Sequence, residues 1–193
     1  SYRRFPNDDE MMRDITTRDL YNFRSRSYWL RRMENHGRKE RISVDEYTIE
    51  HILPQNENLS NTWRTSLGAE WKQIQQAWLH TLGNLTLTGY NSEYSDRSFD
   101  QKRDMEGGFK QSPLKLNEGL GAIENWDVAA IKHRAEHLAK KAVEVWPMPS
   151  LKSEMLDGFR QKVNEHSTYT IEDHPYLSNN HLRSIFEVFR KEV

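Results

Sequence analysis

The sequence predicts a mainly α fold of the α+β kind, a helical domain built around one short β-hairpin. Apolar residues recur at helical spacing through most of the 193 residues. Only residues 44–53 and 84–88 read as extended, and Pro54 and Gly89 break them off. Pro147 and Pro149 stop the longest helical pattern and divide the chain into residues 1–149 and 150–193.

Residues 1–10 read as an irregular lead-in. Residues 14–36 form an aromatic-rich helical pattern through Leu20, Phe23, Trp29, Leu30 and Met33, with Gly37 as its stop. Val44, Tyr47, Ile49 and Ile52 supply the β-formers of the first extended run. Leu67, Trp71, Ile74 and Trp78 return to helical spacing, with Ser66 a candidate N-cap and Gly83 a stop. Residues 84–88 alternate Leu and Thr as a second strand. A helix over 96–106 closes at Gly107 and Gly108, and residues 112–121 read as loop. Asn125 is the candidate cap of a helix over 126–146, with Ile131, Ala135, Leu138, Ala142 and Trp146 on its apolar face. Helical patterns near 151–164 and 180–192 flank a loop that contains His174, which is expected to be structural. Trp29, Trp71, Trp78 and Trp126 fall on helical stripes and are expected in the core.

Composition narrows the function classes. Charged residues make up 30% and mean hydropathy is −0.96. No apolar run approaches the roughly 18–20 residues of a spanning helix. The chain has no cysteine, which excludes disulfides, thiol catalysis and zinc sites built on Cys pairs. With no signal-peptide pattern, a cytoplasmic location is expected. The 28 basic and 29 acidic residues nearly cancel, but the basic ones cluster. Residues 18–41 hold Arg18, Arg24, Arg26, Arg31, Arg32, Arg38, Lys39 and Arg41. Arg97, Lys102 and Arg103 form a second group, suited to DNA phosphates.

The chemistry concentrates in Tyr47-Thr-Ile-Glu-His-Ile-Leu-Pro-Gln55 and Leu82-Gly-Asn-Leu-Thr-Leu-Thr-Gly-Tyr-Asn91. Phosphodiester hydrolysis needs a base for the attacking water and positive charge for the phosphoryl and leaving oxygens. His51 is the candidate base, since a free imidazole titrates at about 6.5. Glu50 and Asn91 offer hard oxygen donors for one divalent cation, magnesium or manganese. Asn84 could accept a hydrogen bond from the His51 ring and fix its tautomer. Neighbours on a strand face opposite ways, so Glu50 and His51 share one site only where the strand ends or bends. His80 falls near these residues, in a packing or hydrogen-bonding role.

These segments resemble the HNH, or ββα-metal, endonuclease motif. More narrowly, the chain resembles the C-terminal nuclease domain of GmrSD-type modification-dependent (type IV) restriction enzymes. The likeness extends to His80-Thr-Leu-Gly-Asn84, Phe99-Asp-Gln-Lys102, Leu114-Lys-Leu-Asn117 and the 126–146 helix with Ile131, Arg134 and Ala135, over roughly residues 20–149. It implies His51 as general base, Glu50 and Asn91 as metal ligands and Asn84 as the middle member that supports the histidine. It also implies bacterial anti-phage defence, modified phage DNA as substrate and a nucleotide-dependent ParB-like domain N-terminal in the same enzyme. Residues 150–193 then read as a linker and the start of an accessory domain. This sequence departs from the wider HNH pattern in having Glu rather than Asp before the histidine. About thirty residues separate its two motifs, and it lacks bracing Cys pairs.

Two readings follow. The first is a metal-dependent DNA endonuclease or nickase, for which a double-strand break requires a homodimer or repeated nicking. The second is a non-catalytic DNA- or protein-binding module on an HNH scaffold. An RNA nuclease is a weaker third.

Overall fold

The computed structural model describes residues 5–150, with residues 155, 157, 158, 160, 161 and 179–184. Most of the expected helices over 151–164 and 180–192, and His174, lie outside the described residues. The chain divides into two compact units, Ser1–Met148 and Pro149–Val193. In the second, residues 180–184 are helical.

The first unit is mainly helical with one two-stranded antiparallel hairpin, as the sequence predicts. Its helices are α1 (Asp8–Thr17), α2 (Arg26–Asn35), α3 (Asn61–Leu67), α4 (Trp71–Trp78), α5 (Asn91–Tyr94), α6 (Phe99–Asp104) and α7 (Val128–Val145). The strands are β1 (Thr48–His51) and β2 (Leu85–Thr88), and three short 3-10 turns interrupt the path from α6 to α7.

Several boundaries moved, each for a physical reason. The expected lead-in becomes helical because Asn7 and Glu10 form a reciprocal capping box. The single helix over 14–36 is split. The amides of Leu20 and Tyr21 both donate to the His80 carbonyl, at 2.9 and 3.3 Å, and Asp19 bridges Thr81. Tertiary pairing there overrides helical periodicity. The helix expected over 67–78 with Ser66 as cap starts only at Trp71; Ser66 and Leu67 instead end α3, which Ser60 caps and Gly68 closes at φ 80°. Asp127, not Asn125, caps α7 by accepting from the Ala130 amide at 2.8 Å, which leaves Trp126 free to enter the core. Trp29, Trp71 and Trp78 are half-buried against the cores rather than inside them.

The hairpin register pairs Thr48 with Thr88, Ile49 with Leu87, Glu50 with Thr86 and His51 with Leu85. Opposed residues share a face. Ile49, Leu85 and Leu87 therefore pack on one core with Met11, Ile15, Leu30, Met33 and Leu138. Glu50 and Thr86 look the other way, toward Lys102 and Asn117. A second core gathers Ile52, Leu53, Trp63, Tyr94, Phe99 and Trp126.

Helix α7 fixes the entry to β2. Its Arg134 is buried, and Nη1 donates to the carbonyls of Leu82, Gly83 and Leu85 at 3.1, 2.8 and 3.0 Å. Its Nη2 donates to the Leu116 carbonyl at 2.9 Å. Burial pushes this guanidinium down to about 9, which still leaves it charged at neutral pH. Gly83 lies so close to α7 that a Cβ there would sit 2.5 Å from the Ile131 carbonyl oxygen and 2.9 Å from Ala135 Cβ. Glu34 of α2, fully buried, accepts from the amides of Lys115 and Leu116 at 3.0 and 2.9 Å and pairs with Arg38.

Arg134→Met should lower unfolding free energy by about 3 kcal/mol or more, since it strands four buried carbonyls. Gly83→Ala should lower it by about 1–3 kcal/mol through overpacking against α7. Urea denaturation followed by circular dichroism measures both. A Gly83→Ala protein as stable as the parent would mean that the turn is not locked to the helix.

Candidate active site

Strand β1 ends at His51 because the chain beyond it is captured. The Ile52 amide donates to the Asn84 carbonyl at 3.0 Å. The Asn84 side chain then clamps Leu53: Oδ1 accepts its amide at 2.7 Å and Nδ2 donates to its carbonyl at 3.1 Å. The remaining capacity of the carboxamide goes to the Trp126 indole N–H at 3.2 Å and the Leu79 carbonyl at 3.0 Å. An Asn side chain has two acceptor lone pairs and two donor hydrogens. All are committed, so Asn84 has nothing left to accept from the His51 ring, contrary to the sequence expectation. It supports the histidine through the backbone that follows it.

The ring of His51 meets His80 instead. Its Nε2 lies 3.1 Å from His80 Nδ1. Tyr21 packs against both rings, edge-on to His51 at 4.4 Å and stacked on His80 at 5.2 Å. Among the described residues no hydrogen bond engages His51 Nδ1. His51 is 4% exposed. Burial, with His80 and Lys102 adding to it, pushes its imidazole down to about 3, so the ring is neutral at physiological pH. His80 also lines an open cleft of about 740 Å³ between the loop at Gln55–Asn58 and helices α3 and α4.

Glu50 occupies a different environment. Its Oε1 lies 2.6 Å from Lys102 Nζ, with the lysine fully buried and the carboxylate nearly so. That ammonium also donates to the carbonyls of His51 and Ile52 at 3.0 and 3.1 Å. Burial pushes the Glu50 carboxyl up to about 7 against the pull of Lys102, and pushes the lysine down. The strand gives way just after His51, but it does not bulge at the pair. Glu50 and His51 therefore keep opposite faces, one toward Lys102 and the other toward His80.

Asn91 opens α5 on the Glu50 side. Its Nδ2 donates to Thr48 Oγ1 at 3.1 Å and to the Ile49 carbonyl at 3.3 Å, leaving Oδ1 uncommitted. A buried carboxylate and a free amide oxygen on one face are the donor set that a hard cation takes, with water and phosphate completing its shell. Glu50 and Asn91 are the oxygen donors this face offers, with Glu50 Oε1 already 2.6 Å from Lys102 Nζ. Among the described residues no group of three or more His, Asp or Glu gathers as metal ligands.

The expected phosphate contacts are dispersed. Arg97 is exposed, with Nη1 3.8 Å from Met105 Sδ. Arg103 is tied to Asp104 and to the Ile123 carbonyl at 2.8 Å. Lys102 points inward to Glu50, away from any surface phosphate. Tyr21 and Asp19 escaped the sequence reading because they sit inside a helical pattern. The only local signal was the Asp19–Asn22 spacing, which forms a side-chain turn at 2.9 Å.

The family model "GmrSD restriction endonucleases, C-terminal domain" matches residues 5–141. The chain belongs to that family and carries the nuclease domain of a GmrSD-type restriction endonuclease. No curated protein and no solved structure matches it. Among the described residues, no helix is long and apolar enough to cross a membrane.

Lys102→Met should lower stability by about 3 kcal/mol by leaving a buried carboxylate unpaired, and adding Glu50→Gln should restore most of it. A double-mutant cycle in urea at neutral pH measures the coupling. Additive effects of the two substitutions would show that the pair is not an energetic unit.

Proposed function

We propose that the domain is a metal-dependent endonuclease or nickase that hydrolyses DNA phosphodiester bonds, with His51 as general base and Glu50 and Asn91 as ligands of one magnesium or manganese ion. The observation that carries this reading is the geometry of His51: its ring is held through Nε2 by His80 and uncommitted at Nδ1. An imidazole held in this way can take the proton of an attacking water. Glu50 and Asn91 contribute oxygen donors from one face of the hairpin. When bound, the cation supplies positive charge for the phosphoryl and leaving oxygens. Asn84 keeps the chain after His51 from drifting, by holding both polar groups of the Leu53 backbone.

The family membership supports DNA as the substrate. Within that reading we assign the domain to anti-phage restriction of modified DNA, under a nucleotide-dependent ParB-like domain of the same enzyme.

Two observations favour a second reading, a non-catalytic DNA- or protein-binding module: Glu50 and His51 keep opposite faces of β1, and the cation position beside Glu50 is already taken. The Lys102 ammonium already stands beside Glu50, where a cation would otherwise balance the carboxylate. Supercoiled plasmid separates the two. With magnesium or manganese the domain should nick or linearise it, EDTA should stop the reaction, and His51→Ala should slow it by about 10²-fold or more without loss of fold. Cleavage by His51→Ala at the parental rate would sink the assignment of the base. DNA binding without cleavage in either metal, by this domain and by the full-length enzyme on modified DNA, would favour the second reading.

A further inference from the structure

We infer that His80 is a positioning residue: its Nδ1 accepts the Nε2 hydrogen of His51 and so leaves His51 Nδ1 as the nitrogen that receives the proton of water. The inference deepens the proposed function and rests on His51 as the base.

Hydrogen-bond capacity decides which nitrogen of His51 is free. A neutral imidazole carries one N–H and one lone pair. The contact of 3.1 Å between His51 Nε2 and His80 Nδ1 holds a single hydrogen, contributed by one ring or the other. If His51 contributes it, His51 Nδ1 has a free lone pair and is a base. If His80 contributes it, His51 carries its hydrogen on Nδ1 and cannot accept a proton there. Catalysis needs the first arrangement. The side chain of Asn84, expected to select it, has every donor and acceptor engaged elsewhere.

His80 is well held for the task. Its carbonyl receives the amides of Leu20 and Tyr21, which anchors its backbone. The Tyr21 ring lies over its imidazole with an interplanar angle of 11°. Asp19, whose carboxylate lies in the same segment, bridges Thr81, the residue after His80. That carboxylate is itself fixed by the amide and side chain of Asn22, at 2.9 and 2.8 Å. His80 also lines the cleft, so its hydrogen can sit on Nε2 while Nδ1 faces His51.

Heteronuclear NMR of the histidine ring nitrogens reads the tautomer without reference to activity. In the parent domain His51 should carry its hydrogen on Nε2. His80→Ala should turn that state into a tautomer mixture, and His80→Gln, whose carbonyl can accept, should restore it. In the plasmid assay with magnesium, His80→Ala should lower kcat by about 10–100-fold with KM little changed, and His80→Gln should recover most of the loss. Parent His51 protonated on Nδ1 overturns the inference, and this measurement needs no variant to fold. A His51 tautomer unmoved by His80→Ala overturns it as well. If the tautomer follows His80 while no form of the protein cuts DNA, the positioning role stands and the endonuclease reading fails.

Discussion

The domain is organised around a cation with no counter-carboxylate. Arg134 is buried, and four backbone carbonyls satisfy it. Two of them belong to the turn that launches β2, the third to the first residue of β2, and the fourth to the chain after α6. Carbonyl oxygens that diverge from a turn are costly to bury unpaired. The guanidinium converges on them with a rigid fork of donors, which lysine could not reproduce. Gly83 allows the approach, because the turn lies against the α7 backbone where a side chain would collide.

From this anchor, order passes to the site through Asn84, which sits inside the turn that Arg134 holds. Its carboxamide ties three segments together: the backbone after His51, the end of α4 and the indole of Trp126. The position of His51 is therefore set by helix α7, an element with no functional residue of its own. His80 follows α4 and is drawn toward the same place by the segment between α1 and α2. Polar groups on the two faces of the hairpin are in this way separated yet jointly fixed. One face carries two contacting imidazoles and the other an ion pair and an uncommitted amide oxygen.

Much of this was legible in the sequence. The hairpin, the glycine at the turn, the long α7 and the glutamate–histidine pair all followed from pattern and motif. The misreadings share a physical cause. Asn84 was read as a partner of a side chain, whereas its bonds go to backbone groups and an indole that no local pattern reveals. Lys102 was read as a surface cation, although it lies 52 residues from the carboxylate that buries it. Tyr21 was read as a helical residue, because the carbonyl that pulls it out of the helix lies about sixty residues further along the chain. Periodicity reports local preference, and each of these positions is decided by a long-range contact.

The insertion of α3 and α4 between the two halves of the motif has a kinetic consequence. The strands of an ordinary hairpin meet within a few residues, whereas here the Leu53–Asn84 clamp spans 31. Closing such a loop demands entropy before any pairing rewards it, and such contacts form late. The first motif in isolation has no partner strand, no clamp and no second imidazole. The candidate site is therefore a property of the assembled fold, and its geometry cannot precede the completion of folding.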